Sequence, residues 1–532
     1  MSIHGSKLVY QASRYDASSV RDRIISDALN NFFETKAEFD MPTKPRFTAF
    51  GILLALVFFP GQTASAAKRP NVVFILTDNH GAWTLGCYGN KDIRTPNIDR
   101  LAAGGMLFKR AMSSNPVCSP TRATFLTGLM PSQHGVHSFL DNKYMMGPEA
   151  YYSLKEFETL PEILHSEGYV CGLSGKWHLG ANMTPQDGFS YWSTMVRGGT
   201  SSLYTDPVIL NGEVVKSPKY MTDLWTDHAV NFIEQNKEGE KPFFLYLAYN
   251  GPYCLGNLLL RPAKNRHAEY YADKLLESFP RDTVHPWQYN NKAYHNNIVS
   301  MRRVAAEVSG VDDGVGTVMD TLKKHGLDEN TVVIFAGDQG WMGGQNGFFG
   351  MGDHTRPFGA HDLMMQVPMI VSHPKTIAPA ETDIMVSNTD FLPSVLEHIG
   401  LKHRIPNAPN QKLSGRSYAP LLRGETIDWE TAMYYEMEGT RSVRTENWKY
   451  VARRSPVGPA ELYNMANDPH ERFNLFGQAE HATVQAELAK QLDDWFNDYA
   501  TTEYDIWKGG RSKARRLHAP EDHPDYRPLR TE

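Results

Sequence analysis

Apolar positions in this chain come in two rhythms. Continuous apolar runs, each ending on polar residues, occupy 71–77, 170–173, 242–247, 331–336 and 367–371. Such runs are read as strands buried on both faces, the pattern of a parallel sheet. Between them, 98–103, 121–129, 160–167, 222–234 and 300–325 carry helical periodicity. Strands alternating with helices predict an α/β domain with a large, mostly parallel sheet flanked by helices, over 69–400. From about residue 400 the texture changes. Segments 439–444, 448–452 and 461–464 read as short antiparallel strands and 483–499 as a helix. They predict a smaller C-terminal α+β domain over 401–505, followed by an extended tail at 506–532.

In open α/β sheets ligands bind beyond the carboxyl ends of the strands. Polar clusters stand there: Asp78-Asn79-His80, Lys176-Trp177-His178, Asn250-Gly251-Pro252-Tyr253 and Asp338-Gln339-Gly340. Their shared placement points to one site.

The N-terminal region follows a different logic. Met41, Lys44 and Arg46 precede an apolar run at 47–59, and Ala64-Ser65-Ala66 closes it. A basic start, an apolar centre and a small-residue end form a secretory signal peptide over 41–66. The run is too short for a membrane span, so the expected protein is exported, periplasmic or extracellular, without a stable span. A signal peptide normally begins at the first methionine, so 1–40 reads as a mis-assigned upstream extension.

The 532 residues are 41% hydrophobic and 21% charged, a globular composition. The formal charge of −6 gives no reason to expect nucleic acid as a partner. The 4 cysteines, Cys87, Cys118, Cys171 and Cys254, would allow disulfides in an exported chain.

Cys118-Ser-Pro-Thr-Arg122 has the form Cys-x-Pro-x-Arg. Alone, it is as readily a buried structural cysteine beside a turn proline. It stands, however, in an ordered series. The others are Pro70-Asn-Val-Val-Phe-Ile-Leu-Thr-Asp78, Gly86-Cys-Tyr-Gly-Asn90, Gly175-Lys-Trp-His-Leu-Gly180, Pro242-Phe-Phe-Leu-Tyr-Leu-Ala-Tyr249, and Leu462-Tyr-Asn464 with Asp468-Pro-His-Glu471 and Asn474. Together these resemble the formylglycine-dependent sulfatases of the alkaline-phosphatase-like superfamily, from about Arg69 to Asn474. The resemblance implies that a formylglycine-generating enzyme oxidises Cys118 to Cα-formylglycine. Its hydrate would attack sulfur, release the alcohol and then eliminate sulfate. It implies that Arg122 holds the diol and that Lys176 and His178 neutralise sulfate and act as base. It also implies a metal held by Asp78, Asn79, Asp338, Gln339 and the modified Cys118. These oxygen donors suit Ca²⁺, with Mg²⁺ as the alternative, rather than Zn²⁺.

The chain departs from the family pattern in four places. Asp78-Asn79 stands for Asp-Asp, and Asp338-Gln339 for Asp-Asn. Gly350-Met351-Gly352 stands for Gly-Lys-Gly, and Tyr253 best matches the position of a usual histidine. Met351 cannot protonate a leaving group, so Tyr253, His354 and His361 become the candidates for that role or for contact with sulfate. Asn79 removes a negative charge and Met351 a positive one, and the two changes offset each other in the field on the sulfate.

Between Tyr253 and Arg303 lie Arg261, Lys264, Arg266, His267, Tyr270, Tyr271, Trp287, Tyr289, Tyr294 and Arg302. They suit a sulfated sugar, and equally an ordinary surface with core aromatics. The expected activity is hydrolysis of a sulfate ester on carbohydrate. The alternatives are a phosphoesterase on the same fold and a catalytically impaired binding protein for sulfated carbohydrate.

Overall fold

The computed structural model describes residues 68–186, 188–454 and 458–517. The segments at 1–40 and 41–66 and the end of the tail lie outside them. Among the described residues, eleven strands form the principal sheet. They are β1 (Asn71–Asp78), β2 (Met106–Met112), β3 (Val170–Gly175), β4 (Phe189–Met195), β5 (Val208–Leu210), β6 (Glu213–Val215), β7 (Phe243–Pro252), β8 (Thr331–Gly337), β11 (Gln366–Val367), β12 (Met369–Ser372) and β13 (Ala380–Ser387). A separate two-stranded pair is formed by β9 (Met342–Gly343) and β10 (Phe349–Gly350). The order is β11-β2-β12-β8-β1-β7-β3-β4-β5-β6, with β13 against β2.

The centre, β8-β1-β7-β3-β4, is parallel throughout. Every residue of β1, β7 and β8 is buried, as continuous apolar runs require. Alternate side chains of β1 feed two cores. Phe74 packs with Phe125 of α2 (Cys118–Thr127) and Phe391 of α6 (Phe391–His398) on one face. Val73 and Ile75 join Trp225 of α4 (Met221–Asn236) and Val311 of α5 (Ile298–Lys324) on the other. Two shorter helices, α1 (Pro96–Ala103) and α3 (Leu160–Ser166), complete the layers.

The expected strand at 367–371 is interrupted. Pro368 has no N–H to offer a ladder, and β11 and β12 lie on either side of it. Both run antiparallel to β2. The helix expected at 121–129 begins earlier, at Cys118. Strands β2, β4, β5, β6 and β13 were not expected. β13 lacks a continuous apolar run and exposes Glu381 and Asp383. All four cysteines are free.

A second sheet is antiparallel: β14 (Ala432–Met437), β15 (Thr440–Thr445), β16 (Trp448–Arg453) and β17 (Glu461–Asn464) in that order. Helix α7 (Ala482–Tyr499) seats Leu488, Leu492 and Phe496 against Val443 and Leu462. Buried Glu436 of β14 braces both flanks of α2. Its backbone N–H donates to Ser114 O (3.0 Å), and its carbonyl accepts from Asn115 Nδ2 (2.6 Å). Its carboxylate accepts from the Ser132 N–H (2.8 Å). Arg441 clamps that carboxylate at 2.7 Å and bonds Asp505 at 2.6 Å. The C-terminal sheet thus fixes the loop before the Cys118 helix and the turn after it.

Candidate active site

Four strand ends deliver the site. β1 ends at Asp78, β3 at Gly175 before Lys176, β7 at Pro252 before Tyr253, and β8 at Gly337 before Asp338. Cys118 opens α2, a helix whose ten residues are all buried. Its side chain reaches a cavity of about 480 Å³, which His178, Asn142, Tyr253, Asn291, Met351 and His354 help to line.

Two buried ion pairs form the floor. Lys176 Nζ lies 2.6 Å from Asp78 Oδ2, and Arg122 Nη2 lies 2.9 Å from Asp338 Oδ2. All four side chains are fully buried. Arg122 also donates to the Lys176 carbonyl (2.7 Å), so its hydrogen bonds tie the two pairs together. No hydrogen bond joins Arg122 to Cys118 among the described contacts. Burial and the neighbouring Asp78 raise the Asp338 carboxyl to about 7, against the pull of Arg122 and Lys176.

Cys118 Sγ sits 3.1 Å from His178 Nδ1. The other ring nitrogen, Nε2, is 3.1 Å from the Leu140 carbonyl, which can only accept. The His178 proton therefore belongs on Nε2, leaving the lone pair of Nδ1 toward position 118. Burial holds His178 well below its usual value, and the Lys176 charge adds to this. A neutral imidazole with its free lone pair on the nucleophile is placed to accept a proton. Burial pushes the Cys118 thiol up to about 11, with Lys176 opposing. As a thiol, position 118 would stay protonated at neutral pH and be a poor nucleophile.

The backbone carries strain at these positions. Asn79, His178 and Tyr253 have φ of 58°, 57° and 44°, a region that costs non-glycine residues energy and clusters at functional sites.

The four metal candidates converge. Asn79 N and Gln339 N both donate to Asp338 Oδ1, at 3.0 and 2.9 Å. Asp78 Oδ1 and Gln339 Oε1 are buried without a hydrogen-bond partner. Two carboxylates, two amides and unpartnered buried oxygens fit a hard divalent cation. No group of three His, Cys, Asp or Glu side chains among the described residues is placed to hold a metal ion by itself, so amide oxygens must complete any such shell.

Three departures from the family pattern touch one another. Gln339 Nε2 donates to Asn79 Oδ1 and lies 3.5 Å from Met351 Sδ. The longer Gln339 side chain bridges the Asn79 amide and the Met351 thioether.

His354 and Tyr253 line the cavity, but His361 does not. It lies in a second cleft, 3.7 Å from Glu471. Of the aromatic and basic series after Tyr253, Tyr294 reaches the cavity. Tyr271 is core, and Arg266 pairs with Asp223 and Asp313. The ordinary-surface reading describes most of that segment. The Leu140 carbonyl was not legible beforehand, because a backbone acceptor leaves no mark in sequence. Gly198 did leave one: a Cβ there would lie 2.1 Å from His178 Nε2, so the ring needs glycine as its neighbour.

The chain matches the Sulfatase family model over residues 70–401, and the model for the C-terminal region of N-sulphoglucosamine sulphohydrolase over 357–498. It belongs to the sulfatase family. This membership makes the protein a sulfuric ester hydrolase. An N-acetylglucosamine-6-O-sulfatase of Bacteroides thetaiotaomicron is 28% identical, the alignment covering 86% of this chain and 92% of the relative. Human arylsulfatase A is 27% identical over 80% of this chain and 88% of its own. A protein solved with its substrate D-glucosamine-2-N,6-O-disulfate superposes with a TM-score of 0.63 at 26% identity, covering 81% of this sulfatase and 98% of that chain.

Gly198→Ala in this sulfatase must displace the His178 ring. A displacement of about 1 Å predicts a loss of roughly 10²-fold in kcat. Gly198 is buried against the ring, so the thermal midpoint is measured as well, to separate ring displacement from loss of folding. Steady-state kinetics beside thermal unfolding checks this; wild-type kcat would refute the constraint.

Proposed function

We propose that this sulfatase removes sulfate from a carbohydrate, using Cα-formylglycine formed from Cys118 by a formylglycine-generating enzyme. The observation that carries the reading is Cys118 at 3.1 Å from the lone-pair nitrogen of His178, above paired buried carboxylates and cations. The relatives named above for N-acetylglucosamine 6-O-sulfate and glucosamine disulfate support a sugar substrate. The signal peptide at 41–66 supports export, to the periplasm or beyond the cell. No helix among the described residues is long and apolar enough to cross a membrane.

Asp78, Asn79, Asp338 and Gln339 would hold Ca²⁺, or Mg²⁺ in its place, together with the modified residue 118. The hydrated aldehyde supplies an oxygen nucleophile and an exit by elimination, while the cation supplies charge stabilisation. The chain's own residues do the rest. Lys176, held by Asp78, offers fixed positive charge to sulfate oxygens. His178 accepts a proton at Nδ1. Arg122 holds Asp338 and the Lys176 backbone and so positions both. Of the candidates for leaving-group acid, His354 fits best. Its ring lines the cavity, and its Nδ1 lies 3.3 Å from Met351 N and 3.0 Å from Asp353 Oδ1. Tyr253 is less suited, because burial raises its phenol further above neutrality.

His354→Gln should separate substrates by leaving group. Sugar sulfates, which need a proton on the departing oxygen, should slow by about 10²-fold or more. An activated aryl sulfate should keep most of its rate. Sulfate release followed by ion chromatography reads both; equal loss on both would remove His354 from the role, and no release from any sugar sulfate would sink the substrate reading.

Asn79→Asp together with Met351→Lys should retain more activity than either single substitution, since each alone unbalances the charge across the Gln339 bridge. Equal damage in the single and double variants would contradict that coupling.

A further inference from the structure

A second cleft of about 400 Å³ lies beside the catalytic cavity. Two segments run past both. Along the first, Thr283, His285 and Trp287 line the cleft, while Asn290 and Asn291 line the cavity. Along the second, Asn346 and Phe348 line the cleft, and Met351, Asp353 and His354 line the cavity. Trp287 and Asn290 are three positions apart, so at most roughly 10 Å of chain separates the two spaces. The segments are locked together. His285 N donates to Gly347 O (2.9 Å), Arg356 N to Trp287 O (2.8 Å) and Tyr289 N to His354 O (2.9 Å).

The cleft has a built floor. The His361 side chain is 7% exposed, and its Nδ1 has no hydrogen-bond partner. Glu471 beside it is 4% exposed and held rigidly by Lys449 Nζ (2.7 Å) and the Asp362 N–H (2.6 Å). Rings form one wall. His285 lies on Phe348 with centroids 4.3 Å apart, and Trp287, half-buried, adjoins His285 at 5.4 Å. At the rim, Phe473 is 69% exposed between Arg472 and Asn474, both lining residues.

We propose that this cleft binds a neutral sugar ring of the same saccharide chain whose sulfated residue enters the catalytic cavity. The proposal rests on the carbohydrate reading above and extends it to an oligosaccharide. The aromatic side chains of the lining suit the apolar face of a pyranose, and the exposed Thr283 and Arg472 beside Asn346 suit its hydroxyls. Charge excludes the alternative of a second sulfate subsite. Arg472 is the one Lys or Arg among the lining residues, and Asp282 and Glu471 oppose it. The substrate is then a chain with its sulfated residue and an unsulfated one held at two stations, rather than a free monosaccharide sulfate.

Saturation-transfer NMR on the intact protein, with desulfated galactan, N-acetyllactosamine and glucan hexasaccharides as probes, reads the cleft without catalysis. Transfer to at least one probe is expected, and it should weaken in Trp287→Ala. Thr283→Arg, at an exposed position on the wall, fills the cleft without disturbing the core and should weaken it likewise. With a sulfated hexasaccharide, both variants should raise KM by about tenfold, the equivalent of roughly 1.4 kcal/mol. Their turnover of an aryl sulfate should be unchanged. No transfer to any probe, an unchanged KM in Thr283→Arg, or equal loss on the aryl sulfate would each overturn the proposal. Aryl sulfate turnover without any sugar sulfate turnover would count against the carbohydrate reading, while the NMR result still decides the cleft.

Discussion

Two ion pairs with no exposed side-chain surface, Asp78 with Lys176 and Asp338 with Arg122, set the terms for the rest of the site. Burying a charge without a partner costs several kcal/mol, and removing one member of a buried pair costs about 3–5 kcal/mol. The pairs are therefore obligatory once the strand ends are packed. They belong to β1, to the turn after β3, to the turn after β8 and to α2, so satisfying them fixes four elements against each other. The Arg122 bond to the Lys176 carbonyl closes the circuit. Cys118 lies one helical turn before Arg122, and anchoring Arg122 by three hydrogen bonds anchors the nucleophile's helix as well.

The same arrangement explains why position 118 is ill-suited to thiol chemistry. Burial that makes the carboxylates and cations effective also keeps a thiol protonated. A hydrated aldehyde needs no ionisation before it is held by its neighbours, and His178 is already neutral and aimed at it. The neutral Asn79–Gln339–Met351 contact adjoins the Asp338 carboxylate, which accepts from the Asn79 and Gln339 N–H groups. Under the coupling proposed above, losing one negative and one positive charge relative to the family pattern would leave the local balance near where it stood.

The parallel centre of the sheet was legible because buried parallel strands must be continuously apolar, and 71–77, 242–247 and 331–336 are. The edges were not: β13 mixes Glu381 and Asp383 into a half-exposed strand, and β2 carries Lys109 and Arg110. The candidate residues Asp78, Asn79, Lys176, His178, Tyr253, Asp338 and Gln339 stood out as polar clusters at strand ends, since that is where a parallel sheet leaves room for them. What escaped were contacts made by backbone or by absence of side chain, namely the Leu140 carbonyl that sets the His178 tautomer and the Gly198 that makes space for its ring. His361 was grouped with the site by its nearness in sequence to Met351, but the turns after β10 carry it to the neighbouring cleft. Arg122 was expected on the diol; with cysteine at 118, its hydrogen bonds run to Asp338 and the Lys176 carbonyl.

The central claim is that the geometry around position 118 serves an aldehyde and not a thiol. Mass spectrometry of the peptide spanning Cys118, from protein produced in a host that makes formylglycine, tests it most directly. The mass of formylglycine at that position is predicted. An unmodified cysteine in protein that nevertheless releases sulfate would contradict it.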